Sequence, residues 1–261
     1  MNHFAAELQC VALTARAAKS TAAAVAPRVD LYRGIHKAAR ALMADTLLAL
    51  GRMDPDDGPE LAHTSLRVMD LLHFCRSHLR HENTHVHSAM EARAPGSSMA
   101  TSYEHADHEL EIDDLMCATR RLLECGDGER PAQALSLYLA LSVFIGHNFA
   151  HMHVEETQHN AVLWAHFTDA ELGAIHEALI AAMPPEELMF VLRWLVPHMN
   201  PAERAALLGT MRAGTPAPAF AVVLEVVRPH LTQREWHKLE KALGMLLPAQ
   251  EQAHAEGELV H

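Results

Sequence analysis

Apolar positions recur every three to four residues along most of this chain and hardly anywhere alternate. That period places them on one face of an α-helix, and runs of alternating β-branched residues, the mark of strands, are missing. Pro/Gly clusters divide the pattern into segments. A first long helix is expected from about Asp30, a candidate cap, to Arg52, where MDPDDGP ends it. A second spans about 60–92 and closes at EARAPGSS. Thr101 or Ser102 can cap a third that runs to about Cys125. GDGERP then turns the chain, and Pro131 suits the first turn of a fourth helix ending near His166. Four long helices with short connections predict an all-α fold, an up-down-up-down four-helix bundle over 28–167.

Shorter helical segments follow, at about 169–182, 185–199, 201–213, 217–230 and 232–246. Within them VLRWLVPHMNPAERAAL (191–207) is echoed by VLEVVRPHLTQREWHKL (223–239), a period of 32 residues. Both copies carry an apolar helix ending at Pro-His and then a capped second helix, so 168–247 reads as a C-terminal region of stacked helical hairpins. Residues 1–27 read as a disordered extension and 248–261 as a disordered tail.

Charge narrows the partners. With 33 Asp+Glu against 21 Lys+Arg the formal net charge is −12, which disfavours nucleic acid and anionic membrane surfaces. No apolar run of about 20 residues is expected to span a membrane. Four cysteines without a CxxC pair suit free thiols in a reducing, cytoplasmic setting. The 21 histidines are the unusual part of the composition.

The second helix contains HLRHENT (78–84) and the fourth HMHVEET (151–157), 73 residues later. In each, a His and a Glu stand four apart, one helical turn along one face. Each pair continues an apolar stripe: Leu71, Phe74 or Cys75, His78, Glu82, Ala89 in one, and Phe144, His147 or Asn148, His151, Glu155, Gln158, Val162 in the other. His36 falls in line with Tyr32 and Met43 on the first helix, and His105 and His108 extend the line of Ile112, Leu115, Thr119 and Leu122 on the third. The expected inward set is therefore His36, His78, Glu82, His105, His108, His151 and Glu155. Burying such groups unpaired costs several kcal/mol for each charge. Two cations bridged by the two carboxylates would remove that cost, and nitrogen/oxygen donors without thiolate favour iron, with manganese or zinc as alternatives. His81, His85 and His87 fall off the stripe and read as flanking residues. His147 reads as a hydrogen-bonded core histidine and Tyr32 as a core tyrosine.

At DLYRGIHKA (30–38), HLRHEN (78–83), EHADHE (104–109) and HMHVEE (151–156) the chain resembles the hemerythrin-like family, also described by its HHE cation-binding motif. The resemblance covers about 28–167. It implies a four-helix bundle around a non-haem, bridged pair of iron ions that binds or senses dioxygen or a related small oxidant such as nitric oxide or peroxide. It puts His36, His78 with bridging Glu82, two histidines of the third helix, and His151 with a bridging carboxylate at the metals. The family's third-helix pair is usually four apart, whereas His105 and His108 are three apart, so Glu104 or Glu109 is an alternative there. In the family's oxygen carriers the last bridging acid stands five after its histidine, which is Glu156, whereas the internal repeat selects Glu155. Two other functions share the same residues: an enzyme that decomposes peroxide or oxidises ferrous iron, and a metal-dependent regulatory protein. In the latter the C-terminal helices would contact a protein partner or a second copy.

Overall fold

A computed structural model describes residues 28–245; the extension expected at 1–27 and the tail expected from 248 lie outside them. Among the described residues there are nine helices and no strand. Helix α1 (Arg33–Arg52) starts where the Asp30 carboxylate accepts the backbone N–H groups of Tyr32 and Arg33, at 3.1 and 3.0 Å. Helix α2 starts at Gly58, with Asp57 accepting from the Glu60 N–H at 3.0 Å, and runs to Arg93 through an internal π-helical turn, Glu82–His87. Helix α3 (Met99–Glu124) begins before the expected Thr101 or Ser102. Glu91 accounts for the difference: its carboxylate accepts from the N–H groups of Gly96 and Ser98, at 2.6 and 2.9 Å, and so organises the loop. Gly96 sits there at φ 84°, a left-handed conformation that only glycine adopts without strain. Helix α4 runs from Arg130 to His166 and contains a second π-turn, Glu155–His159.

These four long helices enclose one core. α1 lies against α2 and α4, α2 against α3, and α3 against α4. Leu42, Leu72, Ile112 and Leu141 are among the side chains buried between them. By length and composition alone α4 could cross a membrane, contrary to the sequence expectation. Ser142, Gly146, His147 and Asn148 interrupt its apolar run without charging it. Leu137, Leu141, Phe144 and Ile145 of that helix are buried, whereas Leu135, Leu139 and Val143 face outward.

The C-terminal region comprises α5 (Asp169–Ala181), α6 (Pro185–His198), α7 (Pro201–Gly214), α8 (Ala217–Val227, prolonged by a 3₁₀ turn to His230) and α9 (Gln233–Ala242). Capping boxes start three of them, at Thr168/Glu171, Asn200/Glu203 and Thr232/Glu235. The helix starts repeat the 32-residue interval of the echo, Pro185 with Ala217 and Pro201 with Gln233. α6 packs on α8 and α7 on α9, around Leu192, Val196, Leu208, Phe220, Val227 and Trp236. Buried Arg204 donates to the carbonyls of Val196, Pro197 and Met199 at the end of α6, where helical partners run out. α6 also lies along α1 and contributes Val191 to the core of the long helices.

The two faces of α4 predict opposite responses to truncation. Leu141→Ala, at a site with no exposure, should cost about 2–5 kcal/mol of unfolding free energy. Leu139→Ala, at an exposed site, should stay within roughly 0.5 kcal/mol, both read from urea denaturation.

Candidate metal centre

Two carboxylates organise the interior. Glu82 is 2% exposed and Glu155 is fully buried, and each stands at the first position of a π-turn. Their oxygens divide between two groups of imidazoles. On one side Glu82 Oε1 lies 3.2 Å from His78 Nε2 and 3.6 Å from His36 Nε2, and Glu155 Oε2 lies 3.4 Å from His36 Nε2. On the other, Glu155 Oε1 lies 3.2 Å from His151 Nε2 and 3.6 Å from His105 Nε2, and Glu82 Oε2 lies 3.7 Å from His105 Nε2. Both carboxylates therefore present one oxygen to each side, as bridging ligands must. His36, His78 and Glu82 form one group that could hold a metal ion, and Glu82, His105, His151 and Glu155 a second, each with donor atoms within 4.8 Å of one another.

Most of the inward atoms lack hydrogen bonds; the exception is the pair His105 Nε2 and His151 Nε2, which share one at 2.9 Å. All four oxygens of Glu82 and Glu155, and Nε2 of His36, His78 and His87, are buried without a hydrogen-bond partner. Leaving such atoms unsatisfied is costly, so convergence of seven of them fits a site built for cations. The outward nitrogens are held instead. Nδ1–H of His36 donates to Glu156 at 3.1 Å, that of His105 to Asn83 at 2.7 Å and that of His151 to Glu104 at 2.6 Å. Arg40 in turn donates to Glu156 at 2.6 Å. Such outer partners fix the tautomer that leaves Nε2 free for a metal and aim the ring.

Of the expected set, six residues meet here: His36, His78, Glu82, His105, His151 and Glu155. His108 is buried beside them with its ring centroid 5.0 Å from that of His151, but it belongs to neither group. Glu104 and Glu156 stand outside the imidazoles as hydrogen-bond acceptors, while Glu155 faces inward.

Two further histidines were missed. His87 and His159 are buried and, with Glu155, form a third group whose donor atoms lie within 4.8 Å of one another. In a regular α-helix the fifth residue after Glu82 points away; the wider π-turn brings it back to the inner face. On α4 the same effect exposes Gln158, leaves Val162 half-buried and buries His159 and Leu163. π-Turns concentrate at functional sites, but no residue pattern in one sequence announces them. Tyr32, buried as expected, donates its hydroxyl to His159 Nδ1 at 3.0 Å, and His159 Nε2–H donates to Thr101 at 3.0 Å. Two other histidines differ from expectation: His81, expected to flank the site, is buried against Glu187 at 3.0 Å, and His147, expected in the core, is exposed and paired with Glu111 at 2.7 Å.

Protonation follows this geometry. Burial opposes charging His36, but Glu156, Glu82 and Glu155 outweigh it and raise its pKa to about 9. Burial likewise opposes charging His151, and Glu155 with Glu104 raises its pKa to about 9. Burial lowers the pKa of His78, and that of His87 and His108 to about 4. Burial and their mutual repulsion push Glu82 and Glu155 upward, yet the surrounding imidazoles prevail and hold both below the ordinary carboxylate value. Comparison with protein-family models, curated proteins and solved structures finds no match for this chain.

The metal-free protein should therefore have a stability maximum near the ordinary histidine pKa of 6.5. The contribution of His36 and His151, whose folded values are raised, is complete below 6.5 and is lost as pH rises towards about 9. That of His87 and His108, whose folded values are depressed, is complete above 6.5 and is lost as pH falls towards about 4. Thermal melts of chelator-treated protein across this range check the shape. Bound metal should move the optimum to higher pH, because cation binding expels the His36 and His151 protons.

Proposed function

We propose that the chain is a hemerythrin-like, non-haem di-iron protein that binds or senses dioxygen or a related small oxidant. The observation that carries this reading is the pair of buried carboxylates, Glu82 and Glu155, each directing one unpartnered oxygen to each of two imidazole groups. In this reading α1–α4 form an up-down-up-down four-helix bundle, with His36 and His78 at one cation and His105 and His151 at the other. His87, whose Nε2 points towards Glu155 Oε1 at 3.9 Å, adds a nitrogen on the second side. Nitrogen and oxygen donors without a thiolate suit iron, and manganese or zinc could occupy the same donors.

Iron held there would supply reversible one-electron chemistry at each ion, the basis for recognising dioxygen, nitric oxide or peroxide. The chain's own contribution is orientation, exclusion of water and control of protons. Glu156, Asn83 and Glu104 fix three imidazoles from behind. Tyr32, whose phenol is kept protonated by burial and by the charges of Glu155 and Glu82, holds His159 beside the second side. Unpaired Cys75, Cys117 and Cys125 suit a reducing compartment such as the cytoplasm.

Anaerobic reconstitution with ferrous iron tests the reading. The expected result is about two irons per chain, the stoichiometry of carboxylate-bridged bundle sites, and oxo-bridge absorption bands after exposure to air. A chain that takes up less than one metal and shows no such bands would exclude it. Glu155→Ala should abolish uptake at both positions, because it removes a ligand from each. Glu104→Ala, which removes only the outer partner of His151, should weaken metal affinity by roughly 10–100-fold.

A further inference from the structure

The metal-ligand candidates are not equally enclosed. The His78 side chain is 15% exposed, against 0% for His36 and 4% for His151. His78 and Glu82 form the inner end of a cavity of about 380 Å³ between the long helices and the C-terminal region. That volume lies within the range of small-molecule sites, roughly 300–1,000 Å³. One wall comes from α1 and α2, including Ile35 and Phe74, and the other from α5 and α6, including Ile175, Leu179 and Val191.

Apart from Glu82, the acidic and basic side chains around it are paired. Arg28 is held by Asp169 at 2.6 Å, Arg33 by Asp30 at 3.2 Å, His81 by Glu187 at 3.0 Å and Glu203 by Lys37 at 2.6 Å. Along its length the cavity thus offers apolar surface and no free countercharge. Gly34 helps to keep it open: a Cβ there would meet Met199 and Leu195 at 3.5 and 3.6 Å, ordinary contact distances. Glycine weakens a helix relative to alanine, and unfilled apolar volume destabilises a fold, so neither feature serves stability.

We propose that the C-terminal helices complete a binding site for an uncharged, largely hydrocarbon molecule, held with one end against the His78–Glu82 face of the metal cluster. Occupancy of the cavity is a property of the folded chain; only its link to oxidant chemistry rests on the di-iron reading. The site gives residues 169–207 a role in ligand binding and makes access to the centre depend on what fills it.

The probe is N-phenyl-1-naphthylamine, an uncharged apolar fluorophore, titrated into the full chelator-treated chain. Saturable fluorescence with one site per chain is expected, displaced by 1-decanol and at least about tenfold less effectively by decanoate. Gly34→Leu and Leu179→Trp should each weaken probe binding by about tenfold or more, while Leu110→Trp, on an exposed part of α3, should not change it. Circular dichroism confirms that each variant is folded. Absence of saturable binding, undiminished binding in the folded cavity-filling variants, or equal displacement by decanoate would overturn the proposal. Cobalt(II) loaded into the centre should quench the bound probe, and loading without quenching would refute the placement of its inner end. Metal uptake is measured separately: probe binding without uptake removes the metal centre and keeps the cavity, and uptake without probe binding does the reverse.

Discussion

Two carboxylates share one buried interior, and the rest of the structure answers to that fact. Glu82 and Glu155 bring like charges close together, and low dielectric magnifies both their repulsion and their desolvation. Without a cation, protons on His36 and His151 supply the compensating positive charge. With cations the same oxygens and nitrogens become donors and the protons leave. Positive charge to offset the two carboxylates is thus available with or without a cation.

Compensation at the centre is backed by a ring of fixed partners. Glu156 joins His36 to Arg40, Asn83 holds His105, and Glu104 holds His151. These partners come from the same helices as the inward donors, within a residue of them in three cases: Asn83 beside Glu82, Glu156 beside Glu155 and Glu104 beside His105. One helical turn thus supplies both an inward donor and the group that orients a donor on a neighbouring helix. The arrangement cross-links four helices through polar contacts that have only one good geometry.

Much of this was legible in the residues. The 3.6-residue period and the Pro/Gly punctuation placed the helices within a few residues, and His-xxx-Glu at the same relative point on two helices singled out the carboxylates. The 32-residue echo marked the hairpins of α6–α9. What escaped was of a different kind. His87, His159 and Leu163 lie inward because the helix widens by a fraction of a turn, and counting by 3.6 cannot see it. His81 is buried because Glu187 reaches it from a helix more than 100 residues away, and His147 points out to Glu111 on α3. The start of α3 depended on Glu91 folding back over Gly96. Each is a tertiary contact or a local departure from regular geometry, and a periodic pattern carries neither.

The paired π-turns also set the chain's tolerance to changes in length. Each turn acts as one residue inserted into an otherwise regular helix. An α-helix rotates by about 100° per residue, so losing a residue from Glu82–His87 or Glu155–His159 would swing all that follows around the axis. Met90 on α2 and Leu163 on α4, both buried, would then face away from the core. Connections such as 53–57 and 125–129 lie between helices and can lengthen or shorten at small cost. In the middle of α2 and α4 the count is rigid, and there a change of one residue acts as a frameshift in three dimensions.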